Sequence, residues 1–292
     1  MKILVTGANG QLGTDLRGVL EQQMPGQTVY TDIDTLDLCD SDQVSVFVEE
    51  GDFTHIVNCA AYTAVDRAEE EKAACSAINV DAVRNLAVAA DRVGAKILHL
   101  STDYVFDGRS CRPYRESDKV NPVSQYGTTK RKGETQLLAI APESIIIRTA
   151  WLYSTTGHNF VKTMLRLADE NGPEGTLRVV SDQVGTPTYS LDLARAIAVV
   201  LGSRQWVPGI FNYTDEGIAS WYDFACAVMR LSGRRTKVRP ILTEDYPTAA
   251  SRPWYSVLDK TRIKATYGLE IPHWETSLAD CLERMGELKK NK

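Results

Sequence analysis

Tyr126 and Lys130 stand four residues apart in the stretch NPVSQYGTTKRKGE, residues 121 to 134. On a helix that spacing puts both side chains on one face. A phenol titrates at about pH 10 in water and a neighbouring ammonium stabilises its phenolate, so such a pair is a usable proton donor near neutrality. The spacing alone does not separate that chemistry from one turn of an ordinary surface helix. Thr102 and Asp103, in HLSTDYVFDG, place a hydroxyl and a carboxylate just past an apolar run, where the hydroxyl could hold a substrate oxygen beside the phenol. Thr128 and Thr129 fall off the face shared by Tyr126 and Lys130 and read as structural.

A second constellation opens the chain. In KILVTGANGQLGTDLRGVL an apolar run enters Gly7, Gly10 and Gly13, and Leu12, Leu16, Val19 and Leu20 then recur at helical spacing. Glycine allows a tight turn and lets the backbone approach a pyrophosphate, which the free N–H groups and positive end of the helix stabilise. Asp32 lies about 20 residues further on, where a carboxylate can accept hydrogen bonds from an adenosine ribose. The plainer reading of Asp32 is a strand end or helix cap, and Asp34 and Asp37 compete for the ribose. No Arg or Lys occurs between Tyr30 and Val48 to neutralise a 2′-phosphate, which favours NADH over NADPH.

These groups need strands and helices to position them. Runs rich in β-branched residues recur at Lys2–Thr6, Thr28–Asp32, His55–Ala60, Lys96–Leu100 and Ser144–Thr149, with helical apolar spacing in each interval. The alternation predicts a Rossmann-type α/β fold, a doubly wound parallel sheet over residues 1–150. Residues of about 188–214 are expected to return to that domain. Residues 151–187 and 215–292 are expected to form a smaller α+β lobe for substrate. In that half the pattern predicts helices over 159–171, 192–201 and 220–231, with Ser220 as N-cap, and strands over 177–180 and 209–213. Residues 232–277 show no clear period and precede a closing helix.

Composition limits the alternatives. The chain of 292 residues is 43% hydrophobic and 24% charged with a net charge of -5, so it offers no basic field for nucleic acid. Its apolar runs are too short to span a bilayer and its start lacks the pattern of a signal peptide, which makes the cytoplasm the expected location. Six scattered cysteines predict reduced, mostly buried thiols, and four histidines show no metal spacing. Glu69, Glu70 and Glu71 read as a solvated acidic face, and the terminal KKNK as a solvated end.

Taken together, TGANGQLG, NCAAYTAVD, HLSTDYVFDG, YGTTK and RTAWLYS resemble the extended short-chain dehydrogenase/reductases. NFVKTM, DQVGTPT and ASRP extend the likeness over most of the chain. The resemblance implies that Gly10, Gln11 and Leu12 hold a dinucleotide pyrophosphate, Asp32 the ribose, and Asp37 and Leu38 the adenine surroundings. Ala61, Tyr62 and Thr63 would line the nicotinamide half. Thr102, Tyr126 and Lys130 match the family's catalytic triad, with Lys130 also holding the nicotinamide ribose. Asp103 and Trp151 match sugar-nucleotide contacts, although a core tryptophan is the alternative for Trp151. Asn79 would complete a proton relay or cross-link the core. Arg252 suits a nucleotide phosphate or, equally, a surface carboxylate.

The reaction implied is hydride transfer from NADH or NADPH to the C4 ketone of a dTDP-sugar, dTDP-4-dehydro-L-rhamnose, with Tyr126 as proton donor. Some relatives hold magnesium near a dimer contact; no acidic set is traceable here, and no metal is expected. A homodimer stays open. So do two other readings: a nucleotide-sugar epimerase or dehydratase with the same Tyr and Lys, and a non-catalytic regulatory subunit resembling that of methionine adenosyltransferase.

Overall fold

The computed structural model of the chain describes residues 1–289. The KKNK end therefore lies outside the described residues except for Lys289, which is exposed. The first half runs β1 (Ile3–Thr6), α1 (Gln11–Gln23), β2 (Thr28–Thr31), α2 (Ser41–Glu50), β3 (His55–Asn58), α3 (Lys72–Ser76), α4 (Ala82–Val93), β4 (Lys96–Thr102), α5 (Gln125–Ile140) and β5 (Ile145–Thr149). The second half runs β6 (Leu152–Tyr153), α6 (Phe160–Asn171), β7 (Thr176–Val180), β8 (Val184–Gly185), β9 (Thr188–Tyr189), α7 (Ser190–Gly202) and β10 (Gly209–Asn212). It closes with β11 (Ala219–Ser220), α8 (Trp221–Ser232), β12 (Lys237–Ile241), α9 (Thr261–Tyr267) and α10 (Trp274–Arg284).

Six strands form one parallel sheet in the order β10-β5-β4-β3-β1-β2. Alternation along each strand feeds both faces. Ile3 and Val5 join Leu12, Leu16 and Leu20 of α1 and Leu193 and Ile197 of α7 in one core cluster. Leu4, Ile56 and Ile97 face the opposite way, toward Val44 and Val48 of α2, Leu86 of α4 and Leu137 of α5. Strands covered on both sides read as continuous apolar runs, which is why the pattern was visible in the sequence. The order reverses between β1 and β3, so the loops after these strands diverge and leave a crevice at their carboxyl ends.

Residues 188–214 split between the two regions. Helix α7 packs on α1 and β10 pairs with β5 at the sheet edge, whereas β9 pairs with β6. A separate core joins α6, α8 and α10 with β7, through Val161, Leu165, Phe224, Val228, Leu278 and Leu282. Two elements fall where the sequence showed no period. Strand β12 pairs with β7 through largely exposed residues and contains Pro240, an edge-strand pattern that hides from hydrophobic periodicity. Helix α9 has seven residues and buries only Ile263. The thiols are free, but only Cys75 and Cys281 are buried; Cys59 and Cys226 are half-buried, and Cys39 and Cys111, both in loops outside the helices and strands, are exposed. Among the described residues no helix is long and apolar enough to cross a membrane, and no group of three acidic, His or Cys side chains is arranged to hold a metal.

Candidate active site

A cavity of about 870 Å³ lies over the carboxyl ends of β1 to β5. The glycine turn forms one wall. Gly7 has φ +67°, and a Cβ there would sit 2.5 Å from Ala60 N. A Cβ on Gly13 would sit 2.3 Å from Gly7 O, so both positions demand glycine for close packing of loop, strand and helix. Gly10 caps α1 without any side-chain hydrogen bond, and the first turn of α1 carries no acidic residue. Its free N–H groups thus keep their affinity for an anion. Asp32 follows β2, accepting from Asn9 N at 2.9 Å and Ile33 N at 2.8 Å, which fixes its carboxylate at the rim. Asp32, Asp37 and Leu38 line the cavity, and Asp34 does not.

The helix α5 carries Tyr126 and Lys130 into the opposite wall. Ser124 caps it, its Oγ accepting from Gly127 N at 3.1 Å. Glu69 accepts from Gln125 N at 2.8 Å. One of the three glutamates read as a solvated face therefore anchors the first turn of this helix, and Glu71 accepts from the Tyr62 hydroxyl and from Arg67. Of the three, Glu70 is the exposed one. A run of three carboxylates carries no periodic signal that could single out Glu69 or Glu71. Two glycines let α5 approach its neighbours: a Cβ on Gly127 would lie 2.2 Å from Tyr104 O, and one on Gly133 would lie 2.2 Å from Asn79 O.

Lys130 is 2% exposed and donates from Nζ to Leu100 O at 2.6 Å. Burial pushes its ammonium down to about 8, an effect Glu134 partly opposes. Tyr126 stacks edge-on against Tyr104, with ring centroids 5.5 Å apart. Burial raises its phenol above the ordinary value, partly offset by the Thr102 hydroxyl. The pairing thus differs from the simple expectation of a phenol lowered by an adjacent ammonium, because Nζ is directed to a backbone carbonyl and desolvation acts on both groups.

Asn79 is buried in a short π-helical segment, Ala77–Asp81, between α3 and α4. It accepts from Tyr62 N at 2.9 Å and donates to Tyr62 O at 3.2 Å and Thr129 Oγ1 at 3.2 Å. These bonds cross-link the core and fix the loop after β3. Ala61 and Thr63 line the cavity, while the Tyr62 side chain turns away toward Glu71. Below the site, Arg148 and Glu134 form a buried fork-to-fork pair at 2.8 and 2.7 Å, with Ser101 donating to Glu134 at 2.6 Å.

Asp103 is 3% exposed and lines the same cavity with Tyr104 and Trp151. Trp151 adopts φ +50°, rare for a bulky residue, and its indole stacks on Trp221 with centroids 3.6 Å apart. Gly185 closes the slot, since a Cβ there would lie 2.6 Å from Trp151 Cε2. Arg252 makes a bidentate pair with Asp66 at 3.1 and 2.6 Å and does not line the cavity. Gln11 reaches the lobe instead, accepting from Asn159 Nδ2 at 3.0 Å, and His158 also lines the cavity. Gly185 falls inside DQVGTPT and His158 directly before NFVKTM, so those motifs could have pointed to them, whereas Trp221 lies away from every quoted motif and no local pattern marks it.

A doubly wound sheet with a glycine turn, a strand-end Asp and a Tyr–Lys helix at one crevice defines a nicotinamide-dinucleotide-dependent oxidoreductase of the short-chain dehydrogenase/reductase class. Residues 1–287 match the family described as the RmlD substrate binding domain. The chain belongs to that family. It is 40% identical to a dTDP-4-dehydrorhamnose reductase of Aggregatibacter actinomycetemcomitans, covering 95% of this chain and 97% of the relative. The crystal structure of a dTDP-4-dehydrorhamnose reductase from Clostridium acetobutylicum superposes with a TM-score of 0.93 at 44% identity, covering 98% of this chain and 100% of the other. That of Bacillus anthracis, solved in complex with NADP, gives 0.92 at 36% identity, over 97% and 100%.

Proposed function

We propose that the protein reduces the C4 ketone of dTDP-4-dehydro-L-rhamnose to dTDP-L-rhamnose with NADH or NADPH. The observation that carries this reading is the meeting, in one cavity, of the glycine turn and Asp32 with Thr102, Tyr126 and Lys130. The residues fit a dinucleotide: Gly7 and Gly13 let the turn pack directly on β3 and α1, and α1 offers an N-terminus whose N–H groups no side chain caps. Gly10, Gln11 and Leu12 would hold the pyrophosphate, Asp32 the ribose, and Ala61, Thr63 and Lys130 the nicotinamide end. When bound, the reduced nicotinamide supplies the hydride.

This chain's residues supply position and a proton. A raised phenol remains protonated at neutral pH, so Tyr126 is loaded as the donor to the oxygen that becomes the alcohol. Lys130 is mostly charged below about pH 8, and its field favours the phenolate left behind. Trp151 and Asp103 face the sugar. Arg252 has its fork filled by Asp66 and is assigned no substrate contact. The reading carries with it a cytoplasmic location and leaves a homodimer to be tested by sedimentation.

The test is oxidation of NADH and NADPH by the purified protein with dTDP-4-dehydro-L-rhamnose generated in place and the product identified. Stoichiometric oxidation to dTDP-L-rhamnose is expected, with Tyr126→Phe lowering turnover at least a hundredfold while dinucleotide still binds. Conversion without net oxidation would point to an epimerase or dehydratase. Dinucleotide binding without any conversion would point to a regulatory subunit.

A further inference from the structure

The loop between β6 and α6, residues 154–159, is seated on the start of α1. Ser154 Oγ donates to Asp15 Oδ2 at 2.8 Å, and Asn159 Nδ2 donates to Gln11 Oε1 at 3.0 Å and to Ser154 O at 2.8 Å. The same Asn159 caps α6, its Oδ1 accepting from Lys162 N at 3.1 Å. Gly157 has φ +67°, and a Cβ there would lie 2.7 Å from Gln11 Cγ, so the loop presses on α1 as only glycine allows. His158 stands between these two fixed residues. Its carbonyl accepts from Gln11 Nε2 at 3.4 Å, and its exposed side chain lines the cavity.

We infer that His158 is a dinucleotide-binding residue supplied by the substrate lobe, its imidazole donating an N–H to the diphosphate held at the start of α1. This rests on the dinucleotide reading and deepens it. The Gln11 side chain is engaged with the lobe at both its oxygen and its nitrogen, so Gln11 offers the diphosphate its backbone and not its amide. The helix end supplies only partial charges against a full negative charge on each phosphate. Among the described residues lining the cavity, Lys130 and His158 are the only Lys, Arg or His side chains. Lys130 belongs to the opposite wall and donates to Leu100 O. His158 is therefore the one placed against α1.

An imidazole keeps at least one N–H donor whether neutral or protonated, so the contact does not depend on the ring's charge. A hydrogen bond to an ionised acceptor is also among the stronger ones a side chain can make. The sugar nucleotide carries a diphosphate of its own, and position decides between the two ligands. The neighbour of His158 is Gln11, the first residue of α1, whereas Trp151, matched to the sugar nucleotide, stacks on Trp221 of α8. The lobe thus contributes to both ligands: Trp151 before β6 faces the sugar and His158 after it faces the dinucleotide. The bonds from Ser154 and Asn159 to α1 hold that loop in place before any ligand arrives.

The experiment titrates wild type, His158→Ala and His158→Gln with NADH and with ADP-ribose, by calorimetry and without sugar nucleotide. His158→Ala should weaken both ligands roughly tenfold, the loss of one hydrogen bond to a charged group. His158→Gln keeps an N–H donor and should recover most of that loss. In steady state the defect should appear in KM for NADH rather than in kcat or in KM for the sugar nucleotide. Unchanged affinity in His158→Ala would overturn the inference. So would a loss confined to NADH, which would move the contact to the nicotinamide, and a loss confined to the sugar-nucleotide KM, which would move it to the other diphosphate. Equal losses in the Ala and Gln variants would make His158 a packing residue of the loop and overturn it as well. Wild type that binds neither NADH nor ADP-ribose would instead sink the dinucleotide reading itself.

Discussion

Replacing Lys130 by Met should abolish turnover and yet stabilise the protein. The ammonium is 2% exposed, has Leu100 O as its hydrogen-bond acceptor, and sits near Glu134, whose own oxygens are taken by Arg148, Arg131 and Ser101. A fall from 10.5 to about 8 corresponds to about 3 kcal/mol of penalty for keeping the charge in the folded state. Because the folded value lies below the unfolded one, the penalty is full below about pH 8 and disappears as pH rises toward 10.5, where the unfolded chain also loses its proton. Leaving the Leu100 carbonyl without its donor returns about 1 kcal/mol of cost. Lys130→Met should therefore be about 2 kcal/mol more stable at pH 7 and nearly equal to wild type at pH 10. The assay is thermal unfolding of both dinucleotide-free proteins at the two pH values, with an expected gap of roughly 4 °C at pH 7. A variant that melts below wild type at pH 7, or a gap that is the same at pH 10, would refute the reasoning.

Two further predictions concern recognition. Asp32→Ala should weaken NADH more than NADPH, because only the unphosphorylated ribose loses a hydrogen-bond acceptor; dinucleotide titrations showing equal losses would remove Asp32 from the ribose. Trp221→Leu should release the Trp151 indole from its stack, raising KM for the sugar nucleotide roughly fivefold with little change in kcat. The same substitution should erase the exciton signature of two parallel indoles in circular dichroism, and a spectrum that keeps it would place the indoles otherwise.

The sheet was legible because strands covered on both faces leave long β-branched runs, and the glycine turn because close backbone approach tolerates no side chain at Gly7 or Gly13. The Tyr–Lys pair was legible from spacing and neighbouring motifs. What was not legible depends on contacts between residues far apart in the chain. Glu69 reaches Gln125 across 56 positions, Asn79 reaches Thr129 across 50, and Asp66 reaches Arg252 across 186. Each partner alone is an ordinary polar residue, so type and spacing gave Glu69 the look of a solvated charge and left Arg252 balanced between a phosphate and a carboxylate. Strand β12 escaped for a different reason: as an exposed edge with Pro240 it buries too little to imprint a period.

The helix that carries Tyr126 and Lys130 is a compromise between propensity and placement. Gly127 and Gly133 each weaken a helix interior by about 1 kcal/mol relative to alanine. In return α5 lies against Tyr104 and Asn79 at distances no side chain would allow. That approach puts Tyr126 beside Tyr104 and the Thr102 hydroxyl, and Thr129 within 3.2 Å of Asn79, so strand end, π segment and helix share one set of restraints. Ser124 and Glu69 then offset the lost propensity at the first turn, where each cap contributes roughly 1 kcal/mol. The residues that look least suited to a helix are thus the ones that set how closely Tyr126 approaches Tyr104 and the end of β4.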